Sequence, residues 1–389
     1  MEGAAPPELS VVMPCLNEAD TLETCIRKAQ QAVESHGVVA EIIVADNGST
    51  DGSQDIAREL GARVVDVHAR GYGSALMGGI TAARGRFVLM GDADDSYDFL
   101  ELPKFVDALR NGHDLVQGCR LPRGGGTVLP GAMPVLHRRW GNPMFSWMAR
   151  TWFRAPINDI YCGMRGFTKE HYTSLEQRCT GMEFATEMII KSSITRADIA
   201  EVPITLHPDG RKAHAPHLRT FRDGWRTLRF FLLYSPRWLF LLPGLLLLLL
   251  GTLGYALALP RLEAFGVDFD AHTLLVSSLA LICGYQSILF ALSTKVFAIS
   301  ERLLPPDPRI DQVGRILTLE RALLVGAVAI VIGIGLLLVA VNEWRLGDFG
   351  QLNYADTMRL VVPGVTLTAL GLQTVLSGFF ISVLGLSRR

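Results

Sequence analysis

Beyond Pro236 the chain consists of long apolar stretches joined by short polar links. Four of these, at about 238–259, 273–294, 321–342 and 360–385, have the length of a membrane crossing. At about 1.5 Å per residue, some 20 helical residues traverse the roughly 30 Å hydrocarbon layer. The leucine run at 245–250 offers no polar side, which a helix on a globular surface needs. Residues 237–389 are therefore predicted to form a four-span transmembrane domain. With 49% hydrophobic and 19% charged residues and a mean hydropathy of +0.28, the chain fits neither a disordered protein nor an ordinary soluble enzyme.

The charged residues of the links predict an orientation. Arg226, Arg229 and Arg237 precede the first span, and Lys295, Arg302, Arg309, Arg315 and Arg321 fall between the second and third. Arg261, Arg345 and Arg359 in the other links are diluted by Glu263, Asp268, Asp270, Glu343, Asp348 and Asp356. The arginine-rich side is expected to be cytosolic, which puts both termini there and the N-terminal region against the inner leaflet. An integral, multi-pass protein of a bacterial plasma membrane is the resulting expectation. The opening MEGAAPPELS has neither a basic start nor an apolar run, so no signal peptide is expected. The six cysteines form no CxxC pair, which favours reduced thiols over disulfides or a zinc site. A net charge of -1 argues against a nucleic-acid partner.

The N-terminal region alternates short apolar runs with amphipathic segments. Strands are predicted at 9–13, 41–45, 63–67, 87–90 and 114–117, and helices at about 18–35, 53–60, 74–83 and 99–110. This pattern predicts an α/β sandwich with a mostly parallel sheet covered on both faces. Ligands bind such sheets beyond the C-terminal strand ends, and the polar residues collect there. Pro14, Asn17 and Glu18 follow the first strand, Asp46, Asn47, Ser49 and Asp51 the second, and Asp92, Asp94 and Asp95 the fourth. Turn formation explains any one cluster; three on one edge point to a site. In GDADD, the carboxylates of Asp92 and Asp94 are spaced to share one hard cation, Mg²⁺ or Mn²⁺, bridging to a nucleotide diphosphate. Competing motifs are missing: Gly71-Tyr72-Gly73 lacks the third glycine of GxGxxG, and neither GxxxxGK[ST], GxSxG nor HExxH occurs.

VVMPCLNEADTLETCI, IIVADNGSTDGS, ARGYGSALMGGI, LMGDADD and INDIYCGMRGF follow one another in the order seen in family 2 glycosyltransferases of GT-A fold. Over about 8–235 the chain resembles the polyprenyl-phosphate hexose synthases related to dolichol-phosphate mannose and glucose synthases. The resemblance implies that Pro14, Asn17 and Glu18 form the first nucleotide loop, that Asp46 holds the base, and that Asn47, Ser49 and Asp51 complete the second loop. It implies that Asp92 and Asp94 bind the metal. Asp95 and Ser96 stand where many relatives have a hydrophobic residue and a glutamine ligand. Gly118-Cys119-Arg120 resembles the family's G-S-R segment, Arg120, Arg139 and Asn142 correspond to acceptor-phosphate positions, and Asp159 matches an aspartate near the reacting carbon. Arg211 resembles the arginine of a loop closing over the diphosphate, with His217 nearest the lysine that follows in many relatives.

The implied reaction is inverting transfer of one hexose from UDP-glucose or GDP-mannose to polyprenyl phosphate, at a GT-A domain over 1–217. An interfacial amphipathic helix at 218–236 is expected before the spans, because WGNPMFSWMARTWF (140–153) and LRTFRDGWRTLRFFLLYSPRW (218–238) interleave aromatic with basic residues. A phosphate monoester is largely dianionic at pH 7 and needs positive charge rather than a strong base, and Arg120, Arg123, Arg138, Arg139, Arg150, Arg154 and Arg165 supply it. Arg150 and Arg154 are read as meeting anionic lipid headgroups. A processive polysaccharide synthase is the alternative, but neither Arg139-Trp140 nor Arg237-Trp238 has the Gln of QxxRW. An inactive scaffold or transporter predicts charged spans and a damaged DxD; neither is seen. A homo-oligomer is compatible with the sequence.

Overall fold

The structure is a computed structural model and describes residues 6–211, 220–260, 263–264, 267–301, 304, 306–316 and 318–385. It divides into two compact units, residues 1–231 and 232–389. The division falls inside the segment 218–236 expected to be interfacial; residues 218 and 219, and His217 before them, lie outside the described residues.

The first unit runs β1 (Leu9–Cys15), α1 (Leu22–Ser35), β2 (Ala40–Asp46), α2 (Ser53–Glu59), β3 (Arg63–Asp66), α3 (Tyr72–Ala82), β4 (Phe87–Met90), α4 (Leu102–Arg110) and β5 (Leu115–Cys119). There follow β6 (Thr127–Val128), α5 (Asn142–Met148), β7 (Arg165–Thr168), α6 (Lys169–Leu175), α7 (Glu183–Ile194), β8 (Ile199–Pro203), β9 (Thr205–Leu206) and α8 (Thr220–Tyr234). Seven strands form one sheet in the order β3-β2-β1-β4-β7-β5-β8. All neighbours are parallel except β7, which runs antiparallel between β4 and β5. β1 is the switch point: β2 flanks it on one side and β4 on the other, so a crevice opens at its C-terminal end.

The central strands are apolar on both faces because helices cover both; every residue of β4 and β5 is buried. On α1, Leu22, Cys25, Ile26, Ala29 and Ala32 recur at helical spacing and pack into the core. The helix starts at Leu22 rather than 18, since the intervening residues are tied to the loop after β2. Residues 137–153 are helical throughout, with wider π-type turns on either side of α5. Phe145, Met148 and Phe153 turn inward, and Phe231 of α8 meets the rings of Phe145 and Phe153 edge-on at 5.9 and 5.4 Å. Trp140, Met144 and Trp147, at spacings of four and three, form the outer face and are exposed.

The second unit contains α9 (Leu242–Ala258), α10 (Ala271–Ser300), α11 (Pro308–Ile316), α12 (Leu319–Leu346) and α13 (Tyr354–Gly385). Four continuous helices are long and apolar enough to cross a membrane, at Arg237–Ala258, Ala271–Ser300, Leu319–Leu346 and Tyr354–Leu384. Small residues let them touch through backbone: a Cβ on Gly244 of α9 would lie 2.9 Å from the carbonyl of Gly284 on α10, and one on Gly333 of α12 would lie 2.7 Å from that of Gly364 on α13. Thr366 of α13 bonds the hydroxyls of Tyr255 at 2.7 Å and Ser278 at 2.5 Å. Ion pairs sit where the links meet the helices, Arg359 with Asp270 at one end and Lys295 with Asp307 at the other.

Candidate active site

The loops leaving β1 and β2 are laced together. The Asn17 main-chain N–H donates to Ser49 Oγ at 2.9 Å and its side-chain oxygen accepts from Thr50 N–H at 2.8 Å. Glu18 N–H donates to Ser53 Oγ at 3.0 Å, and Asp51 accepts from Ala19 N–H at 2.9 Å and Ser53 Oγ at 2.6 Å. Asn17 adopts a left-handed backbone, φ 60°, that turns the chain from strand to loop. Pro14 lies within β1, in register with Ala45. Asp46 is buried and accepts from Gly48 N–H, Ser49 N–H and Gln54 Nε2 at 3.0, 3.1 and 2.7 Å. The Asn47 side chain bonds the backbone of Val67, Ala69 and Gly71 at 2.9, 2.8 and 2.8 Å and so builds the neighbouring loop.

At the exit of β4 the three aspartates diverge. Asp92 accepts from the Tyr72 hydroxyl at 2.8 Å. Asp94 accepts from Ser96 N–H at 3.0 Å and Ser96 Oγ at 2.6 Å, and its other oxygen lies 3.3 Å from Arg211 Nη2. Asp95, at φ 59°, swings away to Lys28 of α1 at 2.8 Å. Arg211 lies among carboxylates: Nε and Nη2 each reach Glu18 at 2.7 Å, and Nη1 reaches Asp209 at 3.0 Å. The segment carrying Arg211 is tied along the DxD loop through His207 N–H to Ser96 O at 2.9 Å and Gly210 N–H to Asp94 O at 3.0 Å.

Burial and the neighbouring Asp94 carboxylate push the Asp92 carboxyl up from its usual range, against the Tyr72 hydrogen bond and the Arg211 charge. The carboxylates of Asp92 and Asp94, with Glu18 beside Arg211, supply the hard oxygen atoms and the negative charge that a divalent cation site requires, and Arg211 offsets part of that charge. Among the described residues no three His, Cys, Asp or Glu side chains converge as a ready-made metal cage. The two carboxylates thus fit a hard divalent cation that takes its remaining ligands from outside the protein.

A second polar cluster is built at the exit of β5. Asp159 is fully buried and takes Arg120 Nε at 2.7 Å, Nη2 at 2.9 Å and the Arg120 main-chain N–H at 3.1 Å. Glu201 of β8 holds this turn, accepting from Asn158 N–H and Nδ2 at 2.7 Å each and from Asp159 N–H at 3.1 Å. Gly163 must be glycine: a Cβ there would lie 2.9 Å from an Asp92 oxygen and 3.2 Å from the Tyr97 hydroxyl. Burial pushes the thiols of Cys119 and Cys162, which line this corner, up to about 12, so they are neutral at physiological pH.

Arg139 and Asn142 stand three residues apart on the helical segment at 137–148, Arg139 exposed and Asn142 buried with its amide 3.6 Å from the Met133 sulfur. The reading of Arg165 as an acceptor-binding cation needs correction. Its side chain is wholly buried, and three of its N–H groups go to the carbonyls of Cys162 and Ile160, at 2.9 Å each, and of Ala185. Arg165 instead ties the loop before β7 to the start of α7. Sequence reasoning also passed over Tyr72, Tyr97, Lys28 and Glu201, which orient the residues it did identify.

A switch-point crevice with a DxD at one strand exit and a buried Arg–Asp pair nearby defines an α/β nucleotide-dependent transferase of GT-A type joined to a membrane unit. Residues 10–173 match glycosyl transferase family 2, and residues 292–385 match the glycosyltransferase family 2 C-terminal transmembrane region. The low-salt glycan biosynthesis hexosyltransferase Agl6 of Haloferax volcanii is 36% identical over 380 residues, spanning 97% of this chain and 89% of that protein. A dolichyl-phosphate hexose transferase of the same organism is 33% identical over 218 residues, 56% of this chain and 89% of that one. Glucosyl-3-phosphoglycerate synthase from Mycobacterium tuberculosis, in crystals with phosphoglyceric acid, aligns with 58% of this chain and 79% of its own at 23% identity and TM-score 0.47. The chain belongs to glycosyltransferase family 2. It is a glycosyltransferase carrying its own transmembrane region.

Proposed function

We propose that the protein transfers one hexose, with inversion, from a nucleotide-diphosphate sugar, UDP-glucose or GDP-mannose, to polyprenyl phosphate at the cytosolic face of the membrane. The observation that carries this reading is the meeting of acidic and basic machinery on one sheet edge: Asp92 and Asp94 at the exit of β4, Arg120 with Asp159 at the exit of β5. Similarity over nearly the whole chain to a hexosyltransferase supports the reaction class, and the name of the dolichyl-phosphate hexose transferase supports the acceptor class.

Asp46 and the laced loops after β1 and β2 receive the nucleoside. Asp92 and Asp94 would hold Mg²⁺ or Mn²⁺, which when bound neutralises charge on the departing diphosphate. Arg211 adds fixed positive charge beside the same carboxylates. On the acceptor side no strong base is needed, because a lipid phosphate is largely ionised at pH 7. Arg120 has five N–H donors; two go to Asp159 and one to Tyr97, leaving two for phosphate. Asp159, saturated by Arg120, aims that guanidinium; Arg139, exposed on the helical segment at 137–148, is the second phosphate contact. The acceptor oxygen attacks the anomeric carbon as its bond to the diphosphate breaks, so the configuration inverts. Trp140, Met144 and Trp147 lie in the bilayer interface and bring the crevice to the lipid headgroup. The arginine bias of the links supports cytosolic termini.

Membranes containing the protein, incubated with polyprenyl phosphate and a panel of radiolabelled nucleotide sugars, are expected to place label in the organic phase for one donor. EDTA should remove that signal and Mg²⁺ or Mn²⁺ restore it. Aqueous polymer with no lipid-linked label for any donor would instead indicate a polysaccharide synthase.

A further inference from the structure

We infer that Tyr97, carried on the DxD loop, is a positioning residue for the Arg120–Asp159 half of the site; this rests on the reading of Arg120 as a phosphate-binding group. Three loops meet at its hydroxyl. Tyr97 itself belongs to the loop after β4 that carries Asp92 and Asp94. Its oxygen accepts from Gly163 N–H, in the loop before β7, at 2.8 Å, and from Arg120 Nη1, at the end of β5, at 3.3 Å. The ring is 3% exposed, and the main chain of Tyr97 pairs with Leu206 in an antiparallel bridge, so the hydroxyl has little freedom.

Each contact has a separate consequence. Asp159 grips one edge of the Arg120 guanidinium, through Nε and Nη2, and Tyr97 grips the opposite corner, Nη1. Together they fix the tilt of the plane and hence where its two remaining N–H groups point. The bond to Gly163 anchors the loop that carries Asp159 four residues earlier, and that glycine lies directly against the Asp92 carboxylate. A shift of the DxD loop therefore displaces the tyrosine oxygen from both Arg120 and the Asp159 loop. Burial holds the Tyr97 hydroxyl well above its ordinary pKa, so it remains a neutral acceptor through the physiological range.

Tyr97→Phe keeps the ring and removes the oxygen. In the full-length protein in detergent with polyprenyl phosphate, the variant should raise the acceptor KM by about tenfold or more, as expected for losing a hydrogen bond to a charged group. The donor KM should stay within about twofold, because the substitution leaves the side-chain contacts of Asp92 and Asp94 in place. Hydrogen–deuterium exchange should quicken in peptides covering 158–166 and stay unchanged in those covering 14–19 and 46–53, which also verifies folding. An unchanged acceptor KM in the variant, or equal rises in both KM values, overturns the positioning role whatever the exchange shows. Should the wild-type protein transfer nothing to polyprenyl phosphate, the functional reading fails by itself. The exchange result then decides alone: faster exchange at 158–166 supports the anchoring role, and unchanged exchange overturns it.

Discussion

Asp159→Asn is expected to lower the melting temperature of the full-length protein by roughly 10 °C, the equivalent of about 3–5 kcal/mol for stranding one member of a buried ion pair. Asp159 is wholly enclosed and Arg120 nearly so, and Nε and Nη2 each bond one carboxylate oxygen, at 2.7 and 2.9 Å. An asparagine can still accept at one oxygen, but it cancels none of the guanidinium charge. The double variant Arg120→Leu with Asp159→Leu removes both charges and should recover much of the lost stability, because a buried pair is often no better than apolar residues of similar volume. It should recover no transfer. Thermal unfolding of the three proteins, followed by tryptophan fluorescence, checks this; a single variant melting within a degree or two of wild type would show that the pair is not carrying the charge balance described.

Asp94→Asn should leave the protein folded and membrane-inserted and lower transfer on the order of 10³-fold, the scale of removing one preorganised electrostatic group from a reaction centre. The asparagine carbonyl can keep the contacts to Ser96, whereas the charge facing Arg211 and the diphosphate is lost. Asp95→Asn, one residue on, is expected to cost no more than about threefold, since that carboxylate is engaged with Lys28 in a partly exposed pair of small energetic worth. Initial rates of lipid-linked product formation, with matched protein in the membrane fraction, separate the two. Equal losses from both substitutions would contradict the divergence of the three aspartates.

The strand–helix alternation was legible because each central strand is a short apolar run bounded by polar turns, and the spans because nothing else accommodates their length of uncharged residues. β7 was not legible as a strand. It is four residues long, contains Arg165 and Gly166, and owes its place between β4 and β5 to pairing from both sides. Within the crevice, the sequence put Asp46, Asp92, Asp94 and Arg120 at or just beyond strand ends, as the fold does, and singled out Asp159, but did not reveal their partners. Asn47 and Asp95 look like ligand-facing residues in sequence, yet their partners are the backbone at 67–71 and Lys28, contacts that only folding brings together. Arg165 looked like one more phosphate-binding cation, and burial among carbonyls gave it a different task. Tyr97 left a faint signal, an aromatic in an otherwise polar turn directly after GDADDS. Glu201 left none, since it is far along the chain in an edge strand.

The central claim is that Asp92 and Asp94 form, with a divalent cation, the seat of the sugar nucleotide's diphosphate. It is tested most directly by equilibrium binding of the nucleotide sugar to the purified full-length protein as Mn²⁺ is titrated from zero. The account predicts that affinity rises with Mn²⁺ to a plateau in the wild type, is at least about tenfold weaker in EDTA, and is insensitive to Mn²⁺ in Asp94→Asn. Equal affinity with and without chelator, or an Asp94→Asn protein that responds to Mn²⁺ as the wild type does, would contradict it.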